Sequence, residues 1–311
     1  MRRLERLECL PGRGQIWLKD DGVFGGAWGG NKARKLEWIL PDVRRRRRST
    51  ILTFGALATN HGLATALYAR ERDIRTVLAL VDQPLDDHVA RQRTRIERSG
   101  ARVYRTGGTL RTIAALPYLY ARHTDWRGLR PPYFLTVGGS SALGALGYVD
   151  AALELAAQIE RAELPEPTHA LVALGSGGTA AGLALGLAIA GLRTRVVAIQ
   201  VNDRTPLDPA RVARLANRAR RLLRRRGARI EAAPVEPGDL RVEKRWLGGG
   251  YGHRTPESEH AIGAAREEAL ALEPVYTGKT MAALLALRER EELGSGPLLY
   301  WHTHNALAES L

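Results

Sequence analysis

Lys32 stands in Gly29-Gly30-Asn31-Lys32-Ala33-Arg34-Lys35-Leu36-Glu37, within a chain that otherwise writes arginine for positive charge. Only Lys19, Lys32, Lys35, Lys244 and Lys279 are lysine, leaving 42 arginines among 47 basic residues. A guanidinium forms no imine with an aldehyde, whereas a lysine amine does. The stretch therefore reads in two ways. It is an imine-forming lysine beside a glycine turn, or it is a glycine turn capping a basic helix start.

A second stretch, Gly175-Ser176-Gly177-Gly178-Thr179, lies between an apolar strand pattern and a helix pattern. Glycines there let backbone N–H groups converge at the positive end of a helix dipole, which suits a phosphate. No Gly-Lys-Ser/Thr follows, so it is not a P-loop, and Ala180 breaks the dinucleotide spacing. A single phosphate monoester fits best; glycines serving only helix packing are the other reading. An aldehyde-seeking lysine with a phosphate cradle suggests pyridoxal 5'-phosphate.

Several segments then resemble the 1-aminocyclopropane-1-carboxylate deaminase and D-cysteine desulfhydrase family, in that family's order and over nearly the whole chain. Gly29 to Glu37 is similar to its GGNKxRKLE signature, and Gly175 to Thr179 to its phosphate loop. Gly138-Gly139-Ser140, Leu143-Gly144 and Gly147-Tyr148-Val149 resemble its GGSNxLGxxGYV segment. Pro274 to Lys279 resembles its DPVYTGK segment, and Tyr251-Gly252 its GYG element.

The resemblance implies roles for particular positions. Lys32 would carry the cofactor and shuttle the substrate Cα proton, with Asn31 and Asn60 around the cofactor ring. Residues 175–179 would hold the phosphate, and Thr277 would face the pyridine nitrogen. A neutral hydroxyl there weakens the ring as an electron sink. Ring-opening members carry Glu at that position and desulfhydrase-like members Thr, so Thr277 leans towards β-elimination. Thr59, Asn60, His61, Tyr251 and Tyr276 would surround the substrate. Thr59 and the two phenols are the acid–base candidates beside Lys32, although core or loop tyrosines are the plainer reading of Tyr251 and Tyr276. Lys35, beside Arg34, reads as helix-surface or phosphate-side charge.

D-cysteine, giving sulfide, ammonia and an α-keto acid, is the leading substrate; 1-aminocyclopropane-1-carboxylate is the runner-up. Two departures alter the pocket. The family's Gln-Ser-Asn reads Ala58-Thr59-Asn60, and its HTGG reads His302-Thr303-His304-Asn305. They leave open a third reading, a degenerate member that binds the cofactor or an acidic partner without turnover.

Those residues need a scaffold. Strand patterns at 15–19, 50–54, 74–81, 102–105, 133–137, 169–174, 194–200, 228–232 and 298–302 alternate with helical ones. Such alternation indicates parallel sheets covered on both faces, an α/β fold. The first helix is expected over 33–41, stopped by Pro41. The resemblance implies two domains with open twisted parallel sheets, of the tryptophan synthase β-like group (fold type II). Residues 1–35 and 146–311 would form the larger, cofactor-binding domain and 36–145 the smaller inserted one. A homodimer is likewise implied.

Composition bounds the rest. Hydrophobic content of 44% and charged content of 26% are globular values. A single cysteine, Cys9, excludes an internal disulfide framework and suits a reducing compartment. There is no signal-peptide pattern and no run of 18 apolar residues, so a cytoplasmic protein without membrane association is expected. The net charge of +14 comes with arginine runs at 44–48 and 218–226, and no aromatic residues interleave them. Nucleic-acid binding is therefore not expected as the main function. Metal binding is not expected either; His302 and His304 are placed on opposite faces of a strand end.

Overall fold

A computed structural model describes residues 1–26, 29–85 and 87–305, apart from the His88 side chain. The chain divides into two compact units, Met1–Arg34 with the described part of Ser141–Leu311, and Lys35–Ser140. The division falls inside helix α2 (Asn31–Arg45), which follows the short α1 (Glu5–Glu8) in chain order.

The first unit is built on a six-stranded sheet. Its order is β1 (Arg2–Arg3), β2 (Ile16–Asp20), β10 (Leu298–His302), β7 (His169–Leu174), β8 (Arg195–Gln200), β9 (Leu240–Glu243). All neighbours are parallel except β1 and β2. Strand β7 is buried from Ala170 to Leu174, as a strand covered on both faces must be. Period-two alternation sorts the side chains. Leu171, Val197, Ile199, Leu298 and Tyr300 enter one core with Leu4, Leu7, Ala265, Met281, Leu284 and Leu287. That core is roofed by α9 (Pro256–Arg266) and α10 (Thr277–Glu289). On the other side Trp301 meets Tyr148 of α6 (Ala142–Glu160), which packs with α7 (Gly178–Ile189) and α8 (Pro209–Arg225). Each fully buried Leu or Ile contributes about 1.5–3 kcal/mol, so this two-sided burial dominates the unit's stability. Helix α6 is long and apolar enough, at mean hydropathy 1.2, to cross a membrane, yet half of that stretch is packed inside the protein. It serves as a core helix.

The second unit has a four-stranded, all-parallel sheet in the order β5 (Arg102–Gly107), β4 (Arg75–Val81), β3 (Thr50–Ala56), β6 (Tyr133–Phe134). Helices α3 (Asn60–Arg70) and α4 (Asp87–Arg98) pack together, and Leu119 of α5 (Thr109–Arg122) closes on Leu52, Val77 and Ala79.

Several expectations need correcting. Pro41 does not stop α2, which continues to Arg45. The proline faces solvent while Ile39, Leu40 and Val43 keep the buried stripe, and Asp42 pairs with Arg45 and Arg46. The apolar face outweighs one lost hydrogen bond. No strand forms over 228–232; that segment is largely exposed, and Arg220 donates to the Ala232 carbonyl. The edge strand is β9, whose Leu240 is buried. Strand β6 is only two residues long. Lys35 is not a surface charge: it is 2% exposed and its ammonium donates to the Gly138 carbonyl at 3.1 Å.

Candidate active site

In the first unit the sheet's carboxyl edge gathers the chemistry-bearing residues. Strand β7 runs into Gly175-Ser176, and Gly177, with φ +88°, caps α7 in the left-handed region that favours glycine. The helix start carries converging backbone N–H groups and a positive dipole end, and Gly177 brings no side chain of its own to cap it. Gly175 is needed for closeness: a Cβ there would lie 2.9 Å from Cε1 of Tyr276. Asn202, just after β8, donates to the Gly175 carbonyl at 2.9 Å and fixes the loop from the other side.

Lys32 is the second residue of α2 and is partly buried. Its ammonium donates to the Asn31 side-chain oxygen, and the Asn31 amide donates to Thr179 at 3.4 Å. One asparagine thus ties the lysine to the start of α7. Burial lowers the Lys32 ammonium to about 8, against the opposing attraction of Glu273. A buried polar cluster anchors this helix start. Arg34 donates to Asp21 at 2.8 Å and Glu154 at 2.9 Å, and Asp21 also accepts from Tyr148 and Trp301. The Gly30 N–H donates to the Asp21 carbonyl at 2.8 Å, and the Asn31 N–H to the Thr303 carbonyl.

Tyr276 opens α10, and its hydroxyl donates to Tyr251 at 2.9 Å. Burial raises both phenols, Tyr276 well above its ordinary value, so both are protonated at neutral pH. The Thr277 hydroxyl accepts from the Glu273 N–H at 2.9 Å and lies 3.2 Å from that residue's carbonyl and carboxylate oxygens. Glu273 was passed over in the sequence. Its carboxylate accepts the N–H groups of Val275, Tyr276 and Thr277, closing the helix start that presents the phenol. An acidic residue before a proline at a helix start was the available signal.

The second unit holds the other candidates. Thr59 caps α3, its hydroxyl accepting from the Gly62 N–H at 3.1 Å. The Asn60 oxygen accepts from Gln92 at 2.7 Å, which leaves the amide Nδ2 as the donor that Asn60 presents elsewhere. Gln92, on α4, had no visible signal in the sequence. The His61 Nε2 lies 3.2 Å from the Thr53 hydroxyl on β3. The Ala58 N–H donates to Gln83 at 3.3 Å, so another glutamine serves the corner where the resembling motif has Gln.

His302 and His304 do not lie on opposite faces. Their rings are 6.4 Å apart, edge to face, because positions two apart share a face. His302 bonds Asp20 at 2.8 Å and stacks on Tyr300. Among the described residues no group of three His, Cys, Asp or Glu is placed to hold a metal.

These residues fit a phosphate-bearing aldehyde: a lysine with a lowered pKa, a glycine-lined helix start and an aromatic wall against it. Comparison with known proteins agrees. Residues 1–304 match a family model described as pyridoxal-phosphate dependent enzyme. The D-cysteine desulfhydrase of Salmonella paratyphi A is 33% identical over 311 residues, covering 98% of this chain and 90% of that protein. The protein of the same name from Yersinia enterocolitica is 34% identical over 315 residues, covering 99% and 91%. A crystal structure of an ACC deaminase homologue superposes with a TM-score of 0.81 at 29% identity, covering 99% of this chain and 89% of that one.

Proposed function

This chain belongs to the pyridoxal-phosphate dependent enzymes, and from that premise we propose that it is a lyase that eliminates the β-substituent of a small amino acid. The best-supported substrate is D-cysteine, released as sulfide, ammonia and pyruvate. Its fold is the α/β, two-sheet fold type II of that family. Lys32, lowered to about 8 and tied through Asn31 to Thr179 at the head of α7, supports this reading.

When bound, pyridoxal phosphate supplies an aldehyde that condenses with amines and a ring that withdraws electrons from the substrate Cα. The chain's own residues do the rest. Residues 175–179 bind the phosphate through backbone N–H groups. Lys32 Nζ, partly neutral near physiological pH, accepts the Cα proton. Tyr276 spends its hydroxyl proton on Tyr251, so the Tyr251 proton is the one left to give to the departing sulfur. Thr277, a neutral hydroxyl bonded to Glu273, adds no charge where the resembling deaminases carry Glu. Elimination needs only Cα deprotonation and a good leaving group, which suits that weaker sink.

The likeness to the deaminase homologue favours a second reading, ring opening of 1-aminocyclopropane-1-carboxylate. One panel separates the two. Purified enzyme is offered D- and L-cysteine, other D- and L-amino acids and the cyclopropane substrate, and keto acid and sulfide are measured. Sulfide with pyruvate from D-cysteine supports the lyase; a four-carbon keto acid from the cyclopropane supports the deaminase; no product from any of them overturns both. A homodimer is the proposed assembly on family grounds, tested by sedimentation. A cytoplasmic setting is proposed from the single, exposed Cys9.

A further inference from the structure

Lys279 is fully buried on α10, three residues after Tyr276. Its ammonium donates to the Leu247 carbonyl at 2.7 Å and reaches the Gly250 carbonyl at 3.4 Å. Those two carbonyls bracket Gly248-Gly249-Gly250, the turn that delivers Tyr251. Gly248, Gly250 and Gly252 all have left-handed φ, at +64°, +114° and +87°. A segment so rich in glycine has the most conformational freedom to lose when it is ordered. Something must hold it in place. Asp203 does so from one side, accepting the Tyr251 N–H at 3.1 Å. Lys279 does so from the other.

The choice of lysine is informative in this chain. A compact ammonium with rotatable donors can serve two carbonyls inside a closed space, where a planar guanidinium fork needs more room. Burial lowers the Lys279 pKa while Glu273 and Asp203 oppose that shift, so neighbouring carboxylates favour the charged donor. One helix then assembles both phenols: Tyr276 at its first turn, and Tyr251 through Lys279.

We propose that Lys279 is a positioning residue whose ammonium, by holding the Leu247 and Gly250 carbonyls, keeps the Tyr251 hydroxyl on Tyr276 and so keeps Tyr251 competent as the proton donor. The catalytic half of this rests on the lyase reading above; the structural half does not.

The test uses the holoenzyme and the variants Lys279→Met, Tyr251→Phe and their combination. Lys279→Met is expected to raise amide exchange across 247–252 about tenfold while leaving the rest of α10 protected. Its kcat on D-cysteine should fall about as far as that of Tyr251→Phe, roughly 100-fold, with KM changed little. The double variant should lose less than about twofold more, because both changes remove one function. In Lys279→Cys on a Cys9→Ser background, aminoethylation of the unfolded chain followed by refolding with cofactor restores an ammonium and should restore most of kcat. Unchanged exchange in 247–252, or losses that multiply in the double variant, would overturn the proposal. Should Lys279→Met not fold, Gly250→Ala replaces it. That change leaves α10 intact but puts a Cβ 2.8 Å from the Asp203 carboxylate at a left-handed φ. It must give the Tyr251→Phe loss or the proposal fails. If wild type turns over no D-cysteine, the lyase reading falls alone, and the exchange comparison still decides the clamp.

Discussion

Tyr276 donates its hydroxyl hydrogen to Tyr251 across 2.9 Å, with the rings 6.1 Å apart and nearly perpendicular at 81°. The direction of that bond ranks the two phenols. Tyr251 still has a proton to give, and Tyr276 supports it. Tyr251→Phe should therefore lower kcat on D-cysteine about 100-fold, in the range of a lost proton donor. Tyr276→Phe removes a hydrogen bond to that donor and should cost about tenfold, consistent with a 1.4 kcal/mol change. Cofactor absorbance should persist in both. A larger loss from Tyr276→Phe would reverse the ranking.

Lys32 sets a pH dependence. Burial lowers its pKa from the ordinary 10.5 to about 8, so half of it is neutral amine near pH 8. In cofactor-free protein, Lys32 arylation followed by mass spectrometry should rise with a midpoint near pH 8. A lysine in an open peptide should instead follow a midpoint of about 10.4. The sign for stability is also fixed. Between about 8 and 10.5 the unfolded chain binds more protons at this residue than the folded one. Lys32 therefore penalises the folded state below pH 8, and the penalty disappears as pH rises through that window. Denaturant unfolding of wild type against Lys32→Met should show a difference that shrinks from pH 7 to pH 10. A wild type more stable than Lys32→Met at pH 7, by an amount that stays constant towards pH 10, would mean the group is stabilised as a cation.

Much of this arrangement was visible in the amino-acid sequence. Strands such as His169–Leu174 and Leu298–His302 are continuous apolar runs bounded by turns, so their period and ends are written locally. The Lys32 and Gly175–Thr179 stretches announce themselves because their chemistry depends on residue type and short spacing. What was hidden depends on contacts made far along the chain. Nothing near Lys35 says that Gly138, 103 residues away, will take its ammonium. Nothing near Asn60 names Gln92 as the group that orients it. Pro41 reads as a stop until the buried stripe of Leu40 and Val43 is seen to outweigh it.

Gly175 is predicted to tolerate no side chain, for a reason of geometry rather than φ. A Cβ would lie 2.9 Å from the Tyr276 ring, closer than carbon atoms settle, and the ring must yield by some tenths of an ångström. Since misplacement of about 1 Å costs roughly 100-fold in rate, Gly175→Ala should lower kcat about tenfold with a smaller effect on cofactor affinity. Gly177→Ala should do the opposite. Its φ of +88° costs a side-chain-bearing residue about 1–2 kcal/mol, and that strain falls on the phosphate cradle. Titration of apoenzyme with pyridoxal phosphate should show about tenfold weaker binding for Gly177→Ala. Equal effects of the two changes on affinity would show that loop shape, not the Tyr276 wall, governs both.

Asp21 supports the helix start that carries Lys32. The carboxylate is wholly buried and accepts from Arg34 at 2.8 Å, Tyr148 at 2.6 Å and Trp301 at 2.8 Å. Asp21→Asn keeps the shape but removes the charge that faces Arg34. Breaking a buried pair by removing one partner costs about 3–5 kcal/mol, because the remaining ion is left uncompensated. Glu154 still meets Arg34 at 2.9 Å, so the lower end of that range, about 3 kcal/mol, is expected in urea unfolding. Arg34 stands two residues after Lys32, so its displacement should also weaken cofactor binding. Adding Arg34→Met to Asp21→Asn removes the stranded cation and should recover part of the stability, despite being a second core change. A double variant that loses the sum of the two single losses would show that the pair acts as two independent side chains.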